Sequence, residues 1–235
     1  MHIPDGFLNL YLCLVMYAVA ALFLVWAWRG VQHSLKKSYV PLIAVSSALL
    51  LLIQLFEFPA AGGASTWHIM GGTMLSMVIG PHATIISMTI TLIIQASFGD
   101  GGISTFGANV VNMAVIGGMS FYLVKILNGG SFSKKRLAIG LFIGVWLSNI
   151  ITALVTGIEI GIAPMVGSIG GLIVTVPAML MLYVPTGLIE GIVASSLIIS
   201  FSRIKAIKLF GVDLIHKNKK DEIKHALKSN NSKSG

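Results

Sequence analysis

The sequence predicts an all-α polytopic membrane protein, and three observations support this fold class. Of its 235 residues, 55% are hydrophobic and only 10% are charged, and the mean hydropathy is +0.89. A soluble domain carries roughly 25% charged residues, so this chain has too few to cover a water-facing surface. Its 16 Lys and Arg residues form three clusters separated by long apolar stretches, as expected of helices in lipid. These features exclude a soluble enzyme and a disordered chain, and the single Cys excludes a disulfide scaffold.

About seven transmembrane helices are expected from the apolar segments between the basic clusters. The third segment is short for a crossing of roughly 20 residues, and Pro81 separates it from the fourth. Pro177 and Pro185 are expected to kink the long last segment or to split off a re-entrant piece. The predicted spans are Phe7–Trp28, Val40–Phe56, His68–Ile79, Ala83–Phe98, Ala108–Val124, Leu137–Ile158 and Ile169–Phe201.

The basic clusters set the predicted orientation of the chain. With seven crossings, the clusters at 29–37, 125–136 and 203–233 share one side of the membrane. The positive-inside rule makes that side cytoplasmic, so the C-terminus is predicted to be cytoplasmic. The segments then predicted to face outwards are the N-terminus and the loops at 57–67, 98–107 and 158–168.

The chain is predicted to divide into a transmembrane domain, residues 1–202, and a basic cytoplasmic tail, residues 203–235. Membrane orientation accounts for the net charge of +8, so the expected partner is the lipid bilayer of the cell membrane and not nucleic acid. The first basic residue, Arg29, follows the first apolar run, which does not fit a signal peptide. We therefore expect Met1 to remain in the mature protein and to face outwards.

Three glycine-rich polar segments fall on the predicted outer side, at residues 1–6, 57–68 and 98–109. Polar irregular backbone at membrane depth is tolerated only where it is buried in protein or lines a cavity. These segments together therefore predict one shared binding cavity that opens outwards.

His2 is the residue of this outer group with the clearest chemistry. The chain's α-amine, the following peptide nitrogen and the His2 imidazole can close two fused chelate rings, which place three nitrogens in one plane. His68 opens the third predicted span on the same face, and its imidazole could supply a fourth nitrogen. Planar nitrogen coordination favours Ni²⁺ or Cu²⁺, with Co²⁺ also compatible, over Mg²⁺ or Ca²⁺.

The remaining histidines are not predicted to be ligands. His82 falls at the predicted cytoplasmic turn after Pro81 and is interpreted as structural. The other three lie in predicted cytoplasmic segments and are interpreted as solvated: His33, His216 and His225.

Acidic residues on the outer side leave two interpretations open. They either raise the local cation concentration or cap helices and bind loop amides. Glu190 lies inside the last span, where an ionisable group is costly and usually functional, but the sequence does not identify its partner. The outward acidic residues are Asp5, Glu57, Asp100 and Glu159.

Catalytic and nucleotide-binding motifs are missing from the sequence: it contains no P-loop, no Gly-x-Ser-x-Gly and no His-Glu-x-x-His. No catalytic residue and no enzyme activity are therefore predicted. A self-contained metal channel or secondary carrier is an alternative, but it would need an ionisable path through the spans, and only Glu190 is available.

Four sequence blocks resemble a known family: MHIPDGF, FPAAGGASTWHIMGG, QASFGDGGISTFGANVVNM and GLIEG. They are similar to the CbiM/NikM family, the substrate-binding S components of energy-coupling-factor (ECF) transporters for cobalt and nickel. The resemblance covers about residues 1–200. It departs from many relatives at Ser65-Thr66-Trp67, where they have a threonine-glycine pair, and at His82, where they have Trp.

The resemblance implies a seven-helix fold whose N-terminal loop is inserted into the bundle. It implies that the metal ligands are the Met1 amine, the His2 amide nitrogen and imidazole, and His68. The metal is the transported substrate, and no cofactor is implied. The implied partners are a transmembrane coupling (T) subunit, ABC-type ATPase subunits that hydrolyse the ATP, and a small accessory membrane subunit.

The resemblance implies import of Co²⁺ for cobalamin biosynthesis, with Ni²⁺ import by the same mechanism as the alternative. A fused C-terminal module found in some nickel-type relatives is not seen in this sequence, which favours cobalt. Metal coordination chemistry alone does not decide between the two, since both ions accept four nitrogens.

Overall fold

The computed structural model describes residues 2–34, 39–60, 65–129, 134–162 and 171–201. Within these ranges the chain is almost entirely helical, with one short antiparallel hairpin of strands β1 (Phe58–Ala60) and β2 (Ser65–Trp67). The helices are α1 (Leu10–Ser34), α2 (Tyr39–Gln54), α3 (Gly72–Ile79), α4 (Pro81–Ser97), α5 (Phe106–Asn109), α6 (Ile116–Leu127), α7 (Lys134–Ile162) and α8 (Leu172–Phe201). A π-helical segment, Val110–Val115, joins α5 to α6.

All seven predicted apolar segments contain a helix, so the predicted all-α polytopic fold class is confirmed. The α5–π–α6 unit accounts for the fifth segment. Among the described residues, four helical stretches are long and apolar enough to cross a membrane alone. Helix α3 has eight residues and is about 12 Å long, which is less than half of a hydrocarbon layer of about 30 Å. The four spanning stretches are Leu10–Gln32, Phe106–Leu127, Lys135–Ile162 and Leu172–Ser200.

The ends of several elements differ from the prediction. Helix α3 begins at Gly72 and not at His68, because the preceding residues form the hairpin and a loop. Helix α7 continues to Ile162, so Glu159 lies inside a helix and is only 4% exposed. Its predicted place in an outer loop is wrong, because Asn112 Nδ2 donates to Glu159 Oε2 (2.6 Å) and provides a polar partner inside the bundle.

Helix α8 is continuous through Pro177 and Pro185, so the described residues contain no separate re-entrant piece in this segment. Residues 163–170, which include the predicted start of the span, lie outside the described part of the chain. The predicted tail at 203–235 also lies outside it, and its separation as a domain stays a prediction.

The hydrophobic centre of the bundle includes large buried side chains from several helices. Met88 of α4, Met113 of the π segment and Tyr183 of α8 are all buried in one cluster. Gly72 and Gly117 bring α3 and α6 into backbone contact, since a Cβ on either glycine would lie 3.0–3.1 Å from the Cα of the other. Small residues allow this approach in membrane helices, and it holds the short α3 in place without a full crossing.

The N-terminal segment is inserted into one end of the bundle, as predicted: His2 and Ile3 are 1% and 0% exposed. At the other end, the His82 ring packs on Trp26, with ring centroids 4.2 Å apart, and faces Gly30. This contact agrees with the structural interpretation of His82. Described basic residues lie towards the same end as His82: Arg29 in α1, Lys125 in α6, and Lys135 and Arg136 in α7.

The side of the membrane that each end faces is a prediction that cysteine labelling tests. We expect Ser131→Cys and Ser229→Cys to be labelled only from the cytoplasm, and Ala64→Cys only from outside. A Cys13→Ala background removes the buried native thiol and serves as the unlabelled control. Labelling of Ser229→Cys in intact cells by an impermeant reagent would contradict the predicted orientation.

Candidate metal centre

The N-terminal segment is held in the bundle mainly through the backbone of Ile3. Its N–H donates to Asn109 Oδ1 (2.8 Å), and its carbonyl accepts from Asn109 Nδ2 (3.1 Å) and from the Gly102 N–H (3.0 Å). Asn109 ends α5, next to the π segment. The buried side-chain amide of Asn109 thus bonds both the N–H and the carbonyl of Ile3, which fixes the position of the preceding His2.

Asp5 ties the same segment to the loop after α4. Its carboxylate accepts from the N–H groups of Ile103 (3.0 Å) and Ser104 (2.7 Å). Burial opposes ionisation, but the Ser104 hydroxyl and the loop amides outweigh it and lower the pKa of Asp5. Gly102 has no room for a side chain, since a Cβ would lie 2.4 Å from the Asp5 nitrogen. For Asp5, binding of loop amides is therefore the confirmed interpretation.

The β1–β2 hairpin delivers His68 to the same end of the bundle. His68 directly follows β2, and the loop from His68 to Gly71 then enters α3. Glu190 holds this loop, because its carboxylate accepts from the N–H groups of Met70 (3.2 Å) and Gly71 (2.8 Å). A third bond comes from Asn149 Nδ2 (3.2 Å). These groups are the partners of Glu190 that the sequence did not identify.

The two predicted histidine ligands lie next to each other. The rings of His2 and His68 stack with their centroids 4.8 Å apart and an angle of 22° between their planes, and they are 1% and 2% exposed. His68 Nδ1 donates to the Ile69 carbonyl (3.0 Å), so its Nε2 carries the lone pair in the neutral ring. Burial, with a contribution from His2, lowers the pKa of His68 well below its ordinary value.

Two carboxylates face the His2 ring. Nδ1 of His2 lies 2.9 Å from Asp100 Oδ1 and 3.8 Å from Glu57 Oε2. Burial opposes ionisation of Asp100, but the hydrogen bond and charge of His2 outweigh it, and the pKa of Asp100 is lowered. Ligand atoms of His2, Glu57 and His68 all lie within 4.8 Å of one another. Glu57 thus joins the two predicted histidines as a residue able to hold a metal.

Met1, the remaining predicted ligand, lies outside the described residues, so its role stays a prediction. Sequence reasoning missed three buried amides that line the site: Gln54 and Asn109 are 0% and 2% exposed, and Gln95 is 2% exposed. A signal was present, because uncharged polar side chains inside predicted spans are costly unless they find partners. Their partners are distant in the sequence and could not be inferred from it.

Comparisons with known proteins agree with this arrangement. A family model described as the cobalt uptake substrate-specific transmembrane region, CbiM, matches residues 2–206. The chain is 40% identical to the Probable fused nickel transport protein LarMN of Lactiplantibacillus plantarum over 77% of its length. It is 34% identical to the Fused nickel transport protein NikMN of Rhodobacter capsulatus over 70% of its length. It spans 57% and 48% of the lengths of these two relatives.

The fold is similar to a crystal structure of a transition metal transporter. The TM-score is 0.77 at 33% identity, over 87% of this chain and 93% of the other. The family model covers the whole described part of the chain, including both histidines of the site. This protein, a multi-pass membrane protein, therefore belongs to the CbiM family of cobalt uptake transmembrane regions.

Proposed function

We propose that the chain is the substrate-capture subunit of an ECF-type, ATP-driven importer for Co²⁺, which supplies cobalt for cobalamin biosynthesis. The observation that carries the proposal is the stacking of two buried histidine rings, 4.8 Å apart, one of which is residue 2 of the chain. Import of Ni²⁺ by the same mechanism is the alternative, favoured by the nickel named in the two relatives above.

The proposed ligands are the Met1 amine, the amide nitrogen and Nδ1 of His2, and Nε2 of His68. The position of His2 supports this set, because only the second residue of a chain can join its imidazole to the α-amine through a single peptide nitrogen. His68 supports it through its Nδ1–H bond to the Ile69 carbonyl, which directs Nε2 as the donor. A four-nitrogen plane suits both Co²⁺ and Ni²⁺.

Glu57 and Asp100 are proposed to attract and balance the incoming divalent charge. Both carboxylates face Nδ1 of His2, at 3.8 Å and 2.9 Å. Carboxylates in a cleft raise the local concentration of cations. Their distance from the ring also allows them to accept a proton that the metal displaces from the nitrogens.

Energy is proposed to come from separate subunits: a transmembrane coupling protein and ABC-type ATPases, with a small accessory membrane subunit. The sequence has no P-loop, which supports this division of labour. Glu190, the ionisable group that the sequence placed inside a span, instead holds Met70, Gly71 and Asn149. Glu159, which the structure adds as a second buried carboxylate, accepts a hydrogen bond from Asn112. These contacts argue against the alternative of a self-contained channel or carrier.

Calorimetric titration of the purified full-length chain with Co²⁺ and Ni²⁺ tests the site. Structural metal sites bind with about 10–16 kcal/mol, so one of four donors contributes roughly 3 kcal/mol, or somewhat more than 100-fold in affinity. We expect His2→Ala and His68→Ala each to bind the metal about 100-fold more weakly than the unmodified chain. His82→Ala and His33→Ala are matched controls and should bind normally. Full affinity of His68→Ala would contradict the proposed ligand set.

A further inference from the structure

Two buried glutamines connect the His2 ring to the backbone beside His68. Gln54 ends α2 and Gln95 lies near the end of α4, and they are 0% and 2% exposed. Gln95 Nε2 donates to Gln54 Oε1 (3.1 Å), and Gln95 Oε1 lies 3.2 Å from His2 Nε2. An amide buried in an apolar bundle is costly unless its groups are bonded, so these contacts determine how each amide is turned.

The backbone carbonyl of Met70 determines which group donates and which accepts in each hydrogen bond of this series. The Met70 carbonyl can only accept, so Gln54 must present its Nε2, which lies 2.8 Å away. The second hydrogen of that amide group points to Met88 Sδ (3.4 Å). Gln54 therefore faces Gln95 with its acceptor Oε1, and Gln95 must donate from Nε2. The oxygen of Gln95 is then the atom that faces His2.

This direction fixes one hydrogen of the His2 ring. An amide oxygen only accepts, so Nε2 of His2 carries a hydrogen. The other ring nitrogen, Nδ1, lies 2.9 Å from Asp100 Oδ1, which can take its hydrogen when a metal binds. The ring nitrogen left for the metal is then Nδ1, the one that the proposed chelate with the Met1 amine requires. If Nε2 had no hydrogen, its lone pair would face the lone pairs of Gln95 Oε1, which is unfavourable.

We propose that Gln95, oriented by Gln54, is a positioning residue that presents Nδ1 of His2 to the transported metal. This inference rests on the proposed function. The same two glutamines couple the histidines to each other, because Gln54 binds the Met70 carbonyl two residues after His68. Glu190 holds the N–H of that residue from the other side. Hydrogen bonds to the non-ligating nitrogen of a metal-binding histidine orient the ring and fix its tautomer.

The test uses the purified full-length chain titrated with Ni²⁺, followed by calorimetry and by the visible absorption of the bound ion. We expect Gln95→Leu to lower the affinity by about 10- to 100-fold and to change the absorption spectrum, since the nitrogens no longer share one plane. Gln95→Glu keeps an oxygen acceptor opposite Nε2 but no longer donates to Gln54, so it should recover part of the affinity and of the native spectrum.

A double-mutant cycle tests the role of Gln54. Because Gln54 acts through Gln95, the Gln54→Leu, Gln95→Leu double variant should lose little more than Gln95→Leu alone. Thr84→Val is the matched control: Thr84 is buried in α4, and its hydroxyl donates to the Gly80 carbonyl of the preceding turn. It should keep both affinity and spectrum.

The outcomes separate the two proposals. Absence of binding by the unmodified chain would overturn the proposed function. Normal binding by that chain and an unchanged spectrum in Gln95→Leu would overturn the positioning role alone, as would equal losses in Gln95→Leu and Gln95→Glu. If Gln95→Leu does not fold, Gln95→Asn replaces it. Its amide is one methylene shorter and should lose affinity in the same way, whereas unchanged binding would overturn the positioning role.

Discussion

An extension of four glycines ahead of Met1 should lower the affinity for Co²⁺ or Ni²⁺ by roughly 100-fold or more. The extension turns the Met1 amine into an amide and moves the new amine out of chelating range of His2. The structure leaves little room for compensation, because Ile3 is bonded on both sides by Asn109 and on its carbonyl by Gly102. His2 therefore cannot shift along the bundle to follow a displaced amine.

The same four glycines added at the C-terminus are the matched control, since that end is predicted to lie on the other side of the membrane. Calorimetry on both extended proteins, with each metal, gives the comparison. Equal affinities would remove Met1 from the ligand set. Since the amine and imidazole must lose protons to bind, the affinity of the unmodified protein should also fall as the pH is lowered.

Liposomes that contain this chain alone should not accumulate cobalt or nickel against a gradient, whereas the complex with coupling and ATPase subunits should do so when ATP is supplied. The reason is energetic: concentrative uptake needs a coupled energy source, and the sequence contains no P-loop. The isolated chain should nevertheless bind the metal, because both histidines of the candidate site lie within this one chain.

Uptake of radioactive cobalt and nickel into such vesicles measures the effect directly. The complex that carries His68→Ala is the control, and it should hydrolyse ATP without importing metal. Accumulation by the chain alone, without ATP, would contradict the S-component proposal and support the secondary-carrier alternative.

The helices were predictable because lipid imposes a simple rule: long uncharged apolar stretches must be helical. The boundaries were less so. The segment from His68 was predicted as helical because it is apolar, but Glu190 binds the N–H groups of Met70 and Gly71, and the helix starts only at Gly72. That carboxylate is about 120 residues away in the sequence.

The candidate site, too, was predictable in its overall placement but not in its individual contacts. The convergence of the N-terminal segment with the loops around His68 and Asp100 was predicted from their shared side of the membrane. The importance of Gln54 and Gln95 was not, because an amide within an apolar run does not reveal which distant group it binds. Glu159 was misplaced for the same reason, since its partner Asn112 belongs to another helix.

The bonds of Glu190 have a consequence for how the protein is made. The loop that carries His68 is synthesised early, but the carboxylate that holds it belongs to the last described helix, α8. Because helices leave the ribosome in chain order, the N–H groups of Met70 and Gly71 can bond Glu190 only after about 120 further residues have been translated. The N-terminal segment, although it is synthesised first, meets its own hydrogen-bond partners Gly102 and Asn109 only after about 100 further residues have been translated. The end of the bundle that carries the candidate metal site is thus completed only when α8 is in place.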